Sequence, residues 1–312
     1  MNLQQRSGSR ALGAICSKFR NNKGLGYNTY KKSFLAGVAP ILDYCSGVWG
    51  NGTLAKIDTV QNRAIRYYLG THRFTPNVAI HGECGWLPGA IRRKIEMARL
   101  WNRLIYLPDD RLSKRIFLWD KELICKNWSS EIKRVFTDTG HHEHFDLNMP
   151  VDLNNVKNNL YDSYCRKWKL DLANVSKLKT LILYKECCEE EPYLSKVINR
   201  QHRSILAQFR CGVLPLKIET GRYQNIPQEL RLCCFCPSNV IEDEIHFLFN
   251  CAKYSVLRNE YFTFVNVTNT SFNSSNNATK LCILMSNIFI KKTAEYLWKC
   301  YSLRQKCLYK ET

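Results

Sequence analysis

Apolar positions recur along this chain at three- and four-residue spacing, the period of helices that bury one face. Leu54, Ile57, Val60, Ala64, Ile65 and Tyr68 predict a helix over 53–69, and Gly70 follows where a helix end accepts a left-handed residue. Pro88 can open a second helix that runs to about Tyr106, with Ile91, Ile95, Ala98, Trp101 and Ile105 inward, before Pro108 stops it. Long amphipathic stretches follow at 111–136 and 152–172, and further helices are expected at 193–210, 254–265 and 281–308. The segment 211–232, interrupted by Gly and Pro, reads as irregular, and 268–279 as a loop rich in Ser, Asn and Thr. No alternating run of strand type and no internal repeat emerges. The expected fold is mainly α, helical in both halves. The polar stretch 137–155, with Gly140, Pro150 and several His, marks the boundary between them. This predicts an N-terminal segment 1–27, a helical domain 28–137, a linker 138–155 and a helical domain 156–312.

Charge adds a partner to this picture. The 312 residues carry 46 Lys and Arg against 27 Asp and Glu, a formal net charge of +19, and are 45% hydrophobic and 12% aromatic. Such a chain can bury a core, which excludes a disordered basic tail. Its surplus charge calls for a polyanion. RNA or DNA comes first, because cations that neutralise phosphates release counterions, and an anionic membrane surface second. No run reaches the ~20 apolar residues of a spanning helix. The N-terminus lacks the apolar stretch of a secretory signal. The expected setting is therefore intracellular, nucleus or cytoplasm, without a membrane.

The cations are patterned. Lys56, Arg63 and Arg66 lie opposite the first apolar stripe, Arg92, Arg99 and Arg103 opposite the second, and Lys196, Arg200, Arg203 and Arg210 share a face at spacings of four, three and seven. Any surface helix presents a charged face. Three predominantly basic ones predict a surface that holds phosphates and positions a strand without reading its sequence. Trp49, Trp86 and Tyr223 are candidate base-stacking residues, or else packing aromatics.

Cysteine adds a metal. Seven of the 15 cysteines lie between Cys187 and Cys251, and Cys233, Cys236, His246 and Cys251 are spaced C-x2-C-x9-H-x4-C. Two thiolates on a tight turn chelate one cation, and a His and a Cys on the next segment complete a tetrahedron of three sulfurs and one nitrogen. That donor set suits Zn2+ and excludes hard cations. Four protein ligands leave no open position, so the ion would hold structure rather than do chemistry. Cys234 competes with Cys233 for the first place, and Cys211 and His202 are possible substitutes. On an unbroken α-helix His246 and Cys251 would point about 140° apart. The helix is therefore expected to break near 250–252.

Other candidates are weaker. His141, His142, Glu143 and His144 read as an exposed loop. Asp109-Asp110 follows Pro108 just before a helix, where Asp ordinarily caps. Glu186, Glu189, Glu190 and Glu191 read as a solvated helix end. No phosphate loop, nucleophile elbow or His-Glu-x-x-His helix is present. The residues point to a binding protein with no active site of its own and no small-molecule substrate.

Several segments also carry a family pattern. Phe34-Leu-Ala-Gly-Val-Ala-Pro-Ile-Leu-Asp-Tyr44-Cys-Ser-Gly-Val-Trp49, followed by Gln61-Asn-Arg-Ala-Ile-Arg66, resembles the stretch just after the catalytic palm in reverse transcriptases of non-LTR (LINE-type, jockey-like) retrotransposons. Thr75-Pro-Asn-Val-Ala-Ile-His-Gly-Glu-Cys-Gly-Trp86 and Arg210-Cys-Gly-Val-Leu-Pro-Leu-Lys-Ile-Glu-Thr-Gly-Arg222-Tyr, leading into 233–251, are similar to the same family, the latter to its CCHC tail. The resemblance covers about 27–260. It implies a helical thumb that grips template and primer, followed by a zinc-binding region. The family's aromatic-x-Asp-Asp motif is absent, since Tyr106-Leu-Pro-Asp-Asp has the wrong spacing. A fragment that binds nucleic acid without synthesising DNA is therefore expected. The alternatives are an all-α zinc-containing adaptor that docks a protein, or a degraded element copy without function.

Overall fold

The computed structural model describes residues 3–21, 26–50 and 54–308. Among them the chain is helical, with no strand and one isolated antiparallel bridge between Leu232 and Ile241. The two strongest sequence helices appear as Ala55–Leu69 and Gly89–Ile105. Residue 53, the expected start of the first, lies outside the described residues. Gly70 takes φ +68° at its far end.

Longer amphipathic stretches are broken where a polar cap intervenes. The expected helix at 111–136 is two helices, Leu112–Glu122 and Trp128–Asp138, because the Asn127 side chain accepts from the Ser130 amide and Ser130 Oγ accepts in return from the Asn127 amide. Likewise 193–210 divides into Tyr193–Lys196 and Arg200–Arg210, where Asn199 accepts from the amides of Gln201 and His202. The last helix divides into Asn277–Met285 and Ile290–Leu308. The segment expected to be irregular contains the helix Lys217–Tyr223, and Leu3–Asn21 is helical too.

The chain forms two compact units assembled from separated segments. One comprises Met1–Phe19, Lys31–Ala64 and Trp86–Trp168, and the other Arg20–Tyr30, Ile65–Gly85 and Lys169–Thr312. In the first, Trp101 is fully buried, edge-on to Phe117 and Phe136 and stacked on Phe145 at 5.2 Å. Phe145 and Val151 lie inside the stretch expected to be a linker. They are buried in this core, and Trp101 Nε1 donates to the Met149 carbonyl. The stretch 138–155 therefore belongs to the first unit, and the sequence passes to the second after Trp168. Most of its polar residues face solvent from turns anchored by those two side chains, which gives a packed stretch the composition of a linker.

In the second unit, Arg200–Arg210 packs along Ile290–Leu308. Ile205, Leu206, Ala207 and Phe209 are all buried, so this helix is covered on more than one face. Among the described residues no helix is long and apolar enough to cross a membrane.

Candidate functional site

The Cys/His cluster is built from a turn and a widened helix. Cys233 donates its amide to the Val240 carbonyl, and Asn239 takes φ +51°, which folds Cys236-Pro-Ser-Asn239 back on itself. Next comes a π turn, His246–Asn250, in which the Cys251 amide donates to the His246 carbonyl at 2.8 Å. That i→i+5 bond takes one more residue into the turn than an α-helix does. His246 and Cys251 thereby return to one side of the backbone. Cys251 itself is extended (φ −60°, ψ 124°), so the expected break occurs at this position.

As a result Cys233, Cys236, His246 and Cys251 bring one donor atom each to within 4.8 Å of all the others, an arrangement that can hold a metal ion. Cys233 Sγ lies 3.8 Å from Cys251 Sγ, and Cys236 Sγ 3.4 Å from His246 Nε2. Cys234 is exposed and outside the cluster, which leaves Cys233 as the first donor. Cys211 and His202 are not in the cluster. Cys211 is buried, and the His202 ring packs on Trp298 at 5.0 Å.

Burial pushes the Cys233 thiol up to about 12 and raises Cys251 as well. Cys236 is also desolvated, yet hydrogen bonds from Ser238, Cys233 and Cys251 bring it below the ordinary value. Burial lowers His246 against the opposing pull of Asp243 and Glu242, which favours the neutral imidazole, the form that can bind a metal.

A set of residues invisible to the spacing argument holds the cluster in place. Arg258 is buried and donates to the carbonyls of Leu248 and Cys251, and Tyr296 donates to Leu248 as well. Arg304 and Glu242 form a buried two-bond ion pair, each bond 2.9 Å. Glu242 also accepts from the Lys217 amide, and the Arg304 guanidinium lies 5.2 Å from the Phe235 ring. Glu242 opens the acidic run Glu242-Asp243-Glu244 between the cysteine knuckle and His246, the local hint of this bracing. Its partner is 62 residues away.

The ten cations predicted to hold phosphates divide. Lys56, Arg63, Arg99 and Arg103 are exposed on the first unit, and Lys196 and Arg200 on the second; Arg99 pairs with Glu96. The other four are turned inward. Arg92 binds Asp43 at 2.8 Å and also Gln61. Arg66 donates to Thr75 and Asn77. Arg203 is buried over the Tyr68 ring and donates to the carbonyls of Val197 and Ile198. Arg210 is buried between Glu83 at 2.8 Å and Glu191 at 2.7 Å. Burial alone would lower its pKa, but the two carboxylates outweigh that and hold it well above the usual value. The predicted shared face over 196–210 is thus corrected to its first two residues, and Glu191 is an interior partner rather than part of a solvated helix end.

Other candidates find structural roles. His144 Nδ1 bonds the Pro150 carbonyl and His141 Nδ1 bonds Thr139 Oγ1. Asp109 and Asp110 are exposed in the turn before Leu112–Glu122, whose cap is Arg111. Trp86 is buried and Trp49 donates to the Tyr44 carbonyl, whereas Tyr223 is exposed. Comparison with family models, with curated proteins and with solved structures finds no match to the chain.

Proposed function

We propose that this chain is a zinc-stabilised holder of nucleic acid, the post-palm region of a non-LTR retrotransposon reverse transcriptase, and that it carries no polymerase chemistry of its own. The observation that carries the zinc part is three thiols and one imidazole whose donor atoms all lie within 4.8 Å of one another. Two sulfurs bound to one tetrahedral zinc at ~2.3 Å stand about 3.8 Å apart, the separation between Cys233 and Cys251. Neutral imidazole and soft thiolates favour zinc over hard cations. With all four positions taken by protein the ion is structural, and it ties the 233–240 turn to the widened helix.

Nucleic-acid binding is supported by the net charge of +19 and by the exposed Lys56, Arg63, Arg99, Arg103, Lys196 and Arg200. Phosphate contacts of this kind position RNA or DNA through counterion release. The family reading rests on the segments around 34–66, 75–86 and 210–251, and it accounts for both features at once. It places the protein inside the cell, in nucleus or cytoplasm.

The test has two readouts. Metal analysis of the purified chain should find about one equivalent of zinc, lost in Cys236→Ala; a metal-free chain that stays folded overturns the zinc assignment. Affinity for a duplex should fall with salt, the log–log slope shrinking by about two in Lys56→Gln/Arg63→Gln. An unchanged slope removes that helix from the interface.

A second reading, a protein-docking adaptor, is favoured by one feature. Leu112, Ile116 and Trp119 are spaced four and three along one helix, with Leu123 just past its end, and all are exposed, Trp119 by 62%. An adaptor would keep its protein partner as salt rises, whereas a phosphate holder loses its nucleic acid.

A further inference from the structure

We propose that an aromatic groove on the second unit seats an unpaired base of a single strand, with Phe74 and Tyr223 as the stacking surface and Arg73 beside it. This rests on the nucleic-acid reading above and adds to it a site and a strand form. Large aromatic side chains ordinarily go inside, but Phe74 is 53% and Tyr223 56% exposed. Their ring centroids are 6.2 Å apart, and the exposed His72 ring lies 5.1 Å from Phe74 and 6.4 Å from Tyr223. Two distant segments therefore bring three rings to one place. The Arg73 guanidinium sits 4.5 Å from the Phe74 centroid.

The groove is held by backbone and polar contacts. Gly70, at φ +68°, turns the chain out of its helix, and its carbonyl accepts from Ser204 Oγ and Gln208 Nε2. The His72 carbonyl then accepts from the Thr75 amide and hydroxyl. On the opposite wall the Tyr223 hydroxyl donates to Glu219 Oε1 at 3.1 Å. The adjoining cavity of about 560 Å³ is lined by His72 and Tyr223, with Thr71, Gln208, Thr220 and Tyr301 adding polar groups, and Phe74 lies outside that lining against the same two rings. Small ligands occupy roughly 300–1,000 Å³. Thr71 Oγ1 is buried there without a protein partner.

Charge selects the occupant. Glu219 is the acid lining the groove, and Lys177 at 3.1 Å and Arg222 at 3.4 Å already neutralise it. A phosphate beside the Phe74 ring meets Arg73, and the acid of the adjoining cavity is already paired. Ring faces accept any base, but only one that is not already stacked in a duplex. An acidic peptide would use Arg73 and leave the rings idle.

The experiment is fluorescence anisotropy of the full zinc-bound chain with a short oligouridylate, a short oligothymidylate and a hairpin duplex. Phe74→Ala/Tyr223→Ala should weaken both single strands by about 5- to 100-fold, the range of one lost base stack, with duplex affinity and the salt slope unchanged. An equal loss on duplex, or no loss, overturns the groove while leaving phosphate-led binding standing. If the unaltered chain binds none of the three, both readings fall. A 5-iodouridine strand crosslinked to the unaltered chain supplies a readout free of folding effects. Adducts on His72, Phe74 or Tyr223 support the site, and adducts confined elsewhere overturn it.

Discussion

Arg210 holds Glu83 and Glu191 with only 1% of its own side chain exposed, and Glu83 is fully buried too, so neither of that pair has water as a ready alternative partner. Arg103 carries the same charge in the open. Removing one partner of a buried pair strands the other, at a cost of about 3–5 kcal/mol, whereas an exposed cation contributes at most ~1 kcal/mol. Arg210→Ala should therefore destabilise the protein by about 3–5 kcal/mol in urea denaturation. Arg103→Ala should stay within about 0.5 kcal/mol. Equal effects would show that the Arg210 cluster is hydrated. This difference was not legible in the sequence. Helical spacing places Arg203 and Arg210 with Lys196 and Arg200, and nothing near residue 210 announces a carboxylate 127 positions earlier. The zinc donors were legible for the opposite reason: each pair of ligands is close in the chain, so spacing alone constrains them.

Element boundaries follow from caps as much as from apolar period. Asn127 and Asn199 each sit inside a stretch whose apolar pattern runs on unbroken, and each ends one helix and begins another by accepting amide hydrogens. The cap residues are readable in sequence, but the period masks them. The π turn is different. No residue type demands an extra residue in that turn, and it exists where Arg258 and Tyr296 take up the Leu248 carbonyl that the widened ladder releases. Asn199→Ala should cost about 1 kcal/mol, and Asn199→Asp only a few tenths, because aspartate caps equally well. Thermal or urea unfolding of the two variants checks this. Equal losses would mean that the Asn199 bonds do not hold the start of Arg200–Arg210.

At the scale of the whole molecule, several acids are used up internally. Asp43, Glu83, Glu191, Glu219 and Glu242 are all engaged in buried or largely buried ion pairs. These pairs take acids and cations out of the exterior together, so the surplus of +19 falls on a surface with fewer acids to offset it than composition implies. Self-repulsion of that surface opposes the compact state. It is screened as the Debye length falls from about 30 Å at 0.01 M to about 8 Å at 0.15 M salt. The melting temperature of the nucleic-acid-free chain should accordingly rise over that range, in contrast to a fold held by attractive surface pairs. At low salt a saturating oligonucleotide should replace the salt effect. At a hundredfold excess over Kd it adds about 2.7 kcal/mol through binding to the folded state alone. Scanning fluorimetry at both salt concentrations, with and without the strand, separates the terms. A melting temperature that falls with salt and ignores the strand would mean that the positive surface is neither self-repelling nor a binding face.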